Sequence, residues 1–288
     1  MPTNAAPTHV VLTVSCPDRP GIVHAVSGVL VDCDYNITES QQFGDPASGQ
    51  FFLRLEATAP AGGVMEALAA RMTLVGERFA MQWRLYDGAV RARLLILVSR
   101  QGHCLNDLLF RQRTGALRAD IVGVVSNHPD LASLCQSADV PFSYLPVSAE
   151  TREEQEATIL DIVEENGVDL VVLARYMQVL SPSTCERLRG RAINIHHSFL
   201  PSFPGSRPYE RAHERGVKVI GATAHYVTSD LDDGPIIEQD VERVDHAMDP
   251  AQLAAVGRDV ECMTLARAVR WHVEHRVLLN GLRTVVFR

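Results

Sequence analysis

The sequence predicts an α/β protein in two parts, a small N-terminal βαββαβ unit and a larger C-terminal half built on a mainly parallel sheet. Three observations carry that prediction. Up to Gly88, strand-like and helical segments alternate in an order that closes into compact α+β units. From residue 91 the rhythm changes to short, unbroken runs of Val, Ile and Leu separated by helical segments, the pattern of a sheet covered on both faces. The length, 288 residues, accommodates two domains of the usual size, about 100–200 residues each.

In the first part, "THVVLTVS" (8–15) reads as a strand that ends in the turn "CPDRPG". Ile22, Val26, Val29, Leu30 and Cys33 then recur at helical spacing. "YNITESQQFG" and "QFFLRLEAT" come next as two strands joined by a loop rich in turn formers, then "GVMEALAARMTLVGERF" as a second helix, and "AMQWRLYD" as a closing strand. The boundary is placed at Gly88, giving domains 1–88 and 89–288.

In the second part the strand candidates are "RARLLILVS", "DIVGVVSN", "FSYLPV", "DLVVLAR", "AINI" and "VIGATAHYV". Between most of them lie the helical segments "CLNDLLFRQRTGAL", "PDLASLCQSA", "REEQEATILDIVEEN" and "PSTCERLR". The charged run in the third of these is expected to form the outer face of an amphipathic helix. In parallel sheets ligands bind beyond the carboxyl ends of the strands, so polar residues just past each apolar run are the candidates for a site.

Composition narrows the function. A net charge of −8 argues against non-specific nucleic-acid binding and against anionic membranes, so neither is expected as a partner. No apolar stretch reaches the roughly 18 residues of a membrane span, and the N-terminus lacks the basic start and apolar core of a signal peptide. A cytoplasmic location is the expectation. The six cysteines are scattered with no CxxC, which favours small buried hydrophobes over disulfides or a cysteine-rich metal site.

Two strand ends carry chemistry. In "INIHHSFLPSFPG" (193–205) an apolar run stops on Asn194, His196 and His197. Asn194 and His196 are two apart, so in an extended chain they share a side, and His197 faces the other way and shapes the wall. An amide can donate to a developing oxyanion and an imidazole can move protons near neutral pH. A carboxylate would complete the set, and "HYVTSDLDDGPII" (225–237) offers Asp230, Asp232 and Asp233, between which spacing does not choose. No GxGxxG or GxxxxGK[ST] occurs. His272 and His275 in "WHVEHR" are three apart on a helical stretch; with no third ligand in sight, a solvated face is expected and no metal.

The two strand-end segments together resemble the formyltransferase family that handles 10-formyltetrahydrofolate, whose pattern is Asn-x-His-x-Ser-x-x-Pro and then a His…Leu-Asp-x-Gly-Pro loop. The resemblance implies that Asn194 is the oxyanion donor, His196 the proton-transfer residue and Asp232 the carboxylate behind the imidazole. It makes His225 a supporting polar residue, places Met177 and Leu180 of "LARYMQVLS" in the apolar wall of a folate pocket, and sets Thr228, Ser229, Asp230 and Leu231 against the pterin ring. It also implies a Rossmann-like fold for this half. The first half resembles an ACT domain, a ferredoxin-like module that often senses amino acids, with "DRPGI" (18–22) as its first turn. Its effector would lie by Asp18, Arg19, Pro20, Gly21 and Ile22 with Asn36 nearby, at an interface between paired modules.

An ACT module fused to such a catalytic domain is similar to the formyltetrahydrofolate deformylase family, which transfers the formyl group to water. "SNHPDL" (126–131), "HHSFLP" and "RPYERAHERGVKVIGATAHYV" point the same way, while Pro204 and Ser206 depart from the Ile and Ala expected there. The resemblance implies a hydrolase of 10-formyltetrahydrofolate that balances one-carbon pools and supplies formate for purine biosynthesis. It implies no cofactor, since the folate is substrate, and a homo-oligomer, dimer or tetramer. The rival readings are formyl transfer to an amine acceptor and a non-catalytic folate or amino-acid sensor. Against the first, "SRQGHCLNDL" lacks the glycine- and serine-rich phosphate turn of glycinamide-ribonucleotide transformylases.

Overall fold

The computed structural model describes residues 8–60, 64–148, 150–200 and 208–288. Pro204 and Ser206 lie outside them. The chain divides into two compact units, one made of the chain up to Arg91 together with Glu274–Arg288, the other of Ala92–Val273. The C-terminal segment, expected in the second domain, thus belongs with the first.

In the first unit β1 (Thr8–Pro17), α1 (Ile22–Asp32), β2 (Asn36–Asp45), β3 (Gln50–Ala59), α2 (Met65–Phe79) and β4 (Gln82–Asp87) keep the expected βαββαβ order. The sheet order is β2-β3-β1-β4, with β3 antiparallel to both of its neighbours and β4 antiparallel to β1. Strand alternation sends Val10, Leu12 and Val14 of β1 into a core with Leu53 and Leu55 of β3, Val26 and Leu30 of α1, and Leu68 and Met72 of α2. Yet Val11, Phe52 and Arg54, on the other face, are buried as well. Arg54 is met there by the chain end. Arg54 donates to the Glu274 carbonyl through Nη2 at 2.9 Å and pairs with Glu39 at 3.1 Å, while Arg276 also pairs with Glu39 at 3.1 Å. The hairpin of β12 (Val277–Asn280) and β13 (Arg283–Val286) is tied to Asp45 by Asn280 at 2.7 Å and Arg283 at 2.8 Å.

The second unit contains β5 (Ala92–Val98), α3 (His103–Arg113), β6 (Ala119–Ser126), α4 (Ala132–Ser137), β7 (Phe142–Tyr144) and α5 (Arg152–Glu165). Then come β8 (Leu170–Leu173), α6 (Pro182–Arg187), β9 (Ala192–His196), α7 (Pro208–Arg215), β10 (Val219–Tyr226), β11 (Ile236–Arg243) and α8 (Pro250–Val273). Its sheet runs β11-β10-β9-β8-β5-β6-β7. The strands from β9 to β7 are parallel, and Leu94, Leu95, Ile96 and Leu97 at the centre are fully buried, as unbroken apolar runs require. β10 and β11 are antiparallel additions at one side. That reversal matters for the site, because it sets His225 directly opposite Asn194.

Two local expectations are corrected. In α5 the charged run is not wholly an outer face, since Gln155 and Glu156 are buried. His272 and His275 do not share a solvated helix face: α8 ends at Val273, and His275 takes φ 55 and stacks on Tyr86 with ring centroids 3.5 Å apart. His272 is half-buried against Tyr226, whose hydroxyl lies 2.7 Å from Nδ1, and desolvation lowers the imidazole to about pKa 4. All six cysteines are free, four of them buried. Among the described residues no helix is long and apolar enough to cross a membrane.

Candidate active site

β9 is extended through Asn194 and His196, so both side chains project from one face of the sheet, and His225 joins them from β10. Beyond Tyr226 the chain leaves level with Ala192, where Val227 N donates to its carbonyl at 2.9 Å, and folds back towards these three groups. Two backbone features permit that return. A Cβ on Gly234 would lie 1.7 Å from the Tyr226 carbonyl oxygen, so only glycine allows the loop to close on its own strand. Asp232 takes φ 56, a left-handed conformation in which Asp is among the better-tolerated side chains.

The fold brings Asp232 to the imidazoles and leaves Asp230 and Asp233 exposed. His196 Nδ1 lies 3.2 Å from Asp232 Oδ2, and His225 Nε2 lies 3.6 Å from Asp232 Oδ1. Bonding from His196, then from His225, holds the Asp232 carboxyl well below the usual carboxylate range. Because Nδ1 of His196 faces a carboxylate, the proton sits on Nδ1 and the Nε2 lone pair is left for other work. His225 makes a second fixed point. Its Nδ1 is 2.9 Å from the Tyr226 carbonyl, and its Nε2 lies 3.2 Å from the Asn194 amide nitrogen. The other Asn194 contact, to Asp232 Oδ1, is long at 3.5 Å.

These groups form one end of a cavity of about 240 Å³. Its wall includes all the residues expected against the substrate: Met177, Leu180, His225, Thr228, Ser229, Asp230 and Leu231. Tyr176, Val179 and Cys185 extend the apolar side. His197 lines the cavity wall as expected, but its direction corrects an expectation. β9 ends at His196, so strand alternation no longer applies, and the two imidazoles stack with centroids 4.7 Å apart and planes 26° from parallel. Burial, then the charge of Arg175 and the neighbouring His196, lowers His197 to about pKa 4, so it is neutral near pH 7.

The motifs gave no sign of a buried ionic group reaching the cavity through Arg175. Glu261 of α8 meets His103 Nε2 at 2.7 Å, the Tyr209 hydroxyl at 3.1 Å and Arg175 Nε at 3.5 Å. Burial pushes the Glu261 carboxyl up, but the His103 bond and the Arg175 charge outweigh it and hold the carboxyl below its ordinary value. His103, Cys104 and Glu261 place ligand atoms within 4.8 Å of one another, a spacing that could hold a metal ion. The Glu261 oxygens are already engaged by three donors, one of them a guanidinium, which makes this an ion-pair cluster.

The effector residues behave differently. Asp18, Arg19, Pro20 and Gly21 form an exposed turn with Ile22 buried beneath it. Asp18 N donates to the Gly49 carbonyl at 2.8 Å, the Arg19 guanidinium lies 4.5 Å from the Phe79 ring centroid, and Gly21 takes φ 94 at the start of α1. Asn36 is not nearby in the same chain. It pairs with Thr58, which faces His9 on β1, so it sits at the opposite end of the sheet from Pro17. At about 3.3 Å per residue the separation is on the order of 25 Å.

The second unit is thus a mainly parallel α/β domain with an Asn–His–Asp cluster beside an apolar-walled cavity, and the first is a βαββαβ module. The formyl transferase family model matches residues 92–269, and the ACT domain model matches residues 10–71. A formyltetrahydrofolate deformylase from Corynebacterium sp. (strain P-1) is 50% identical over 279 residues, covering 96% of this chain and 98% of that protein. The crystal structure of a formyltetrahydrofolate deformylase from Burkholderia mallei matches with TM-score 0.94 and 55% identity, over 98% of this chain and 100% of that one. A glycinamide ribonucleotide transformylase from Symbiobacterium toebii matches less fully, with TM-score 0.66 and 30% identity over 71% of this chain and 98% of that one. The chain belongs to the formyltetrahydrofolate deformylase family.

Proposed function

We propose that the protein hydrolyses 10-formyltetrahydrofolate to formate and tetrahydrofolate, with water as the acceptor. The observation that carries the reading is the convergence of Asn194, His196 and Asp232 at one end of an apolar-walled cavity, in a chain of this family. The folate lies along Met177, Leu180 and the 228–231 loop, with the formyl group towards His196.

His196 Nε2 takes a proton from water as its oxygen bonds to the formyl carbon. Ionised Asp232 stabilises the imidazolium. The long Asn194–Asp232 contact is weak enough to be exchanged for the developing oxyanion, which the amide then holds. Collapse of the tetrahedral species breaks the carbon–N10 bond while His196 returns its proton to N10. An amide, an imidazole and a carboxylate suffice for these steps, so no metal or cofactor is required.

The module at the N-terminus is proposed to bind a small amino-acid effector at Asp18–Ile22 in a homo-oligomer, dimer or tetramer, in the cytoplasm. Since Asn36 lies at the far end of its own sheet, it would join such a site only from a second copy. Turnover in ¹⁸O-labelled water tests the catalytic reading. One label should enter each formate, whereas unlabelled formate would remove water as the acceptor.

A further inference from the structure

The apolar wall of the cavity is a stretch of chain with little regular structure. Between the end of β8 and the start of α6, residues 174–181 supply Tyr176, Met177, Gln178, Val179 and Leu180 to the lining. Met177 is 61% exposed and Val179 48%, so packing under these two side chains holds little of the wall in place.

Tyr176 and Leu180 are buried in the core, and three hydrogen-bonded anchors add to that packing. At the start, the Tyr176 hydroxyl donates to Gln155 Oε1 at 3.1 Å, and Gln155 Nε2 donates to the Leu145 carbonyl at 2.8 Å. In the middle, Met177 N donates to Ser99 Oγ at 3.0 Å, and Ser99 Oγ donates to Asn127 Oδ1 at 2.7 Å. At the end, Glu156 accepts from Ser181 N at 2.9 Å, from the Ser181 hydroxyl, and from Thr184 Oγ1 at 2.6 Å. Gln155, Glu156, Ser99 and Asn127 are all buried, and none of them lines the cavity.

The Glu156 anchor is the strongest. Glu156 is 5% exposed, and among the described residues no cation is paired with its carboxylate. Its charge is instead met by one backbone N–H and two hydroxyls at the start of α6, and charge-assisted bonds of this kind are roughly twice as strong as neutral ones. A buried anion with no counter-ion is costly unless such donors are held in place. The carboxylate and the end of the wall therefore fix each other.

We infer that Glu156, with Gln155 beside it on α5, is a positioning residue that sets substrate affinity by holding the 174–181 wall in its binding shape. The inference rests on the reading of this cavity as the folate site. Neither side chain touches the reacting atoms, so the effect falls on KM and not on kcat.

The test compares full-length wild type with Glu156→Gln and Tyr176→Phe, measuring kcat, KM for 10-formyltetrahydrofolate and the Kd of tetrahydrofolate by calorimetry. Glu156→Gln should raise KM and Kd together by about tenfold with kcat within about twofold, because uniform binding is what is lost. Tyr176→Phe removes one hydroxyl and should raise both by a few-fold. A merely structural role would lower kcat through the inactive fraction and leave KM and Kd unmoved; that result in Glu156→Gln overturns the inference. If Glu156→Gln does not fold, Tyr176→Phe decides by the same criterion. A wild type that neither hydrolyses nor binds the folate removes the functional reading and this one together. An active wild type beside variants of unchanged KM removes this one alone.

Discussion

The carboxylate loop of the second unit and the Asp18–Ile22 turn of the first are both reached by strands that end in acidic turns, yet they finish differently. The loop after β10 folds back so that residues 38 positions apart, Asn194 and Asp232, come within 3.5 Å beside a cavity. The turn after β1 stays exposed, and the asparagine expected to join it lies at the other end of the sheet. In the proposed reading one site is complete within a single chain and the other is half a site. The catalytic residues should therefore fail independently of assembly, and the effector residues only through it.

The largest effects are expected in the complete site. Replacing His196 with Ala removes the proposed general acid–base group and should lower turnover by about 10²–10⁴. Asp232→Asn should also cripple turnover. Asn194→Ala, which removes the proposed oxyanion donor, should cost about 10²–10³. The three act as a unit, so a double variant should fall far short of the product of the singles. Near-normal turnover in His196→Ala would break the catalytic half of the comparison.

A smaller effect belongs to the half-site. A small amino acid such as glycine or methionine should shift the rate by a coupling of about 1–3 kcal/mol. Asp18→Ala and Asn36→Ala should each abolish the response, while mixed assemblies of the two variants should regain part of it. A response that survives Asn36→Ala in full would show that the turn works alone. If no amino acid among the twenty changes rate or melting temperature, the module serves assembly only.

Stability should respond to acid in a definite direction. His272 is held at about pKa 4 by burial, whereas an unfolded histidine titrates near 6.5. The unfolded state binds the proton first, so stability is full above about pH 6.5 and falls as pH drops towards 4, by about 2–3 kcal/mol for this group. His272→Gln should make the melting-temperature profile shallower over that window, with His197 supplying part of what remains. An unchanged slope would place the acid sensitivity elsewhere. The smallest expected effect is none: turnover should survive EDTA, and loss restored by zinc would reassign the cluster of His103, Cys104 and Glu261.

Much of the fold, and several of the residues that converge at the candidate site, were legible in the sequence, for reasons that differ by region. The first unit's element order came from local periodicity and turn residues, and the central strands of the second from their unbroken apolar runs. Asn194 and His196 could be paired because strand alternation is a local rule. The choice of Asp232 over Asp230 and Asp233 could not be made that way, because it depends on a φ of 56 and on the close approach at Gly234. His197 was misplaced by applying alternation one residue past the end of β9. Glu156 and Arg54 look like surface charges in one dimension; their partners at Ser181 and Glu274 are distant in sequence, so burial left no periodic trace.

The most direct measurement is a stoichiometric one, tracking formate and tetrahydrofolate together from 10-formyltetrahydrofolate with no amine present. The two products should appear in equal amounts, and adding glycinamide ribonucleotide should neither speed tetrahydrofolate release nor yield a formylated amine. Formate appearing only as a trickle, while the added amine captures most of the formyl group, would contradict the account and make the protein a transferase.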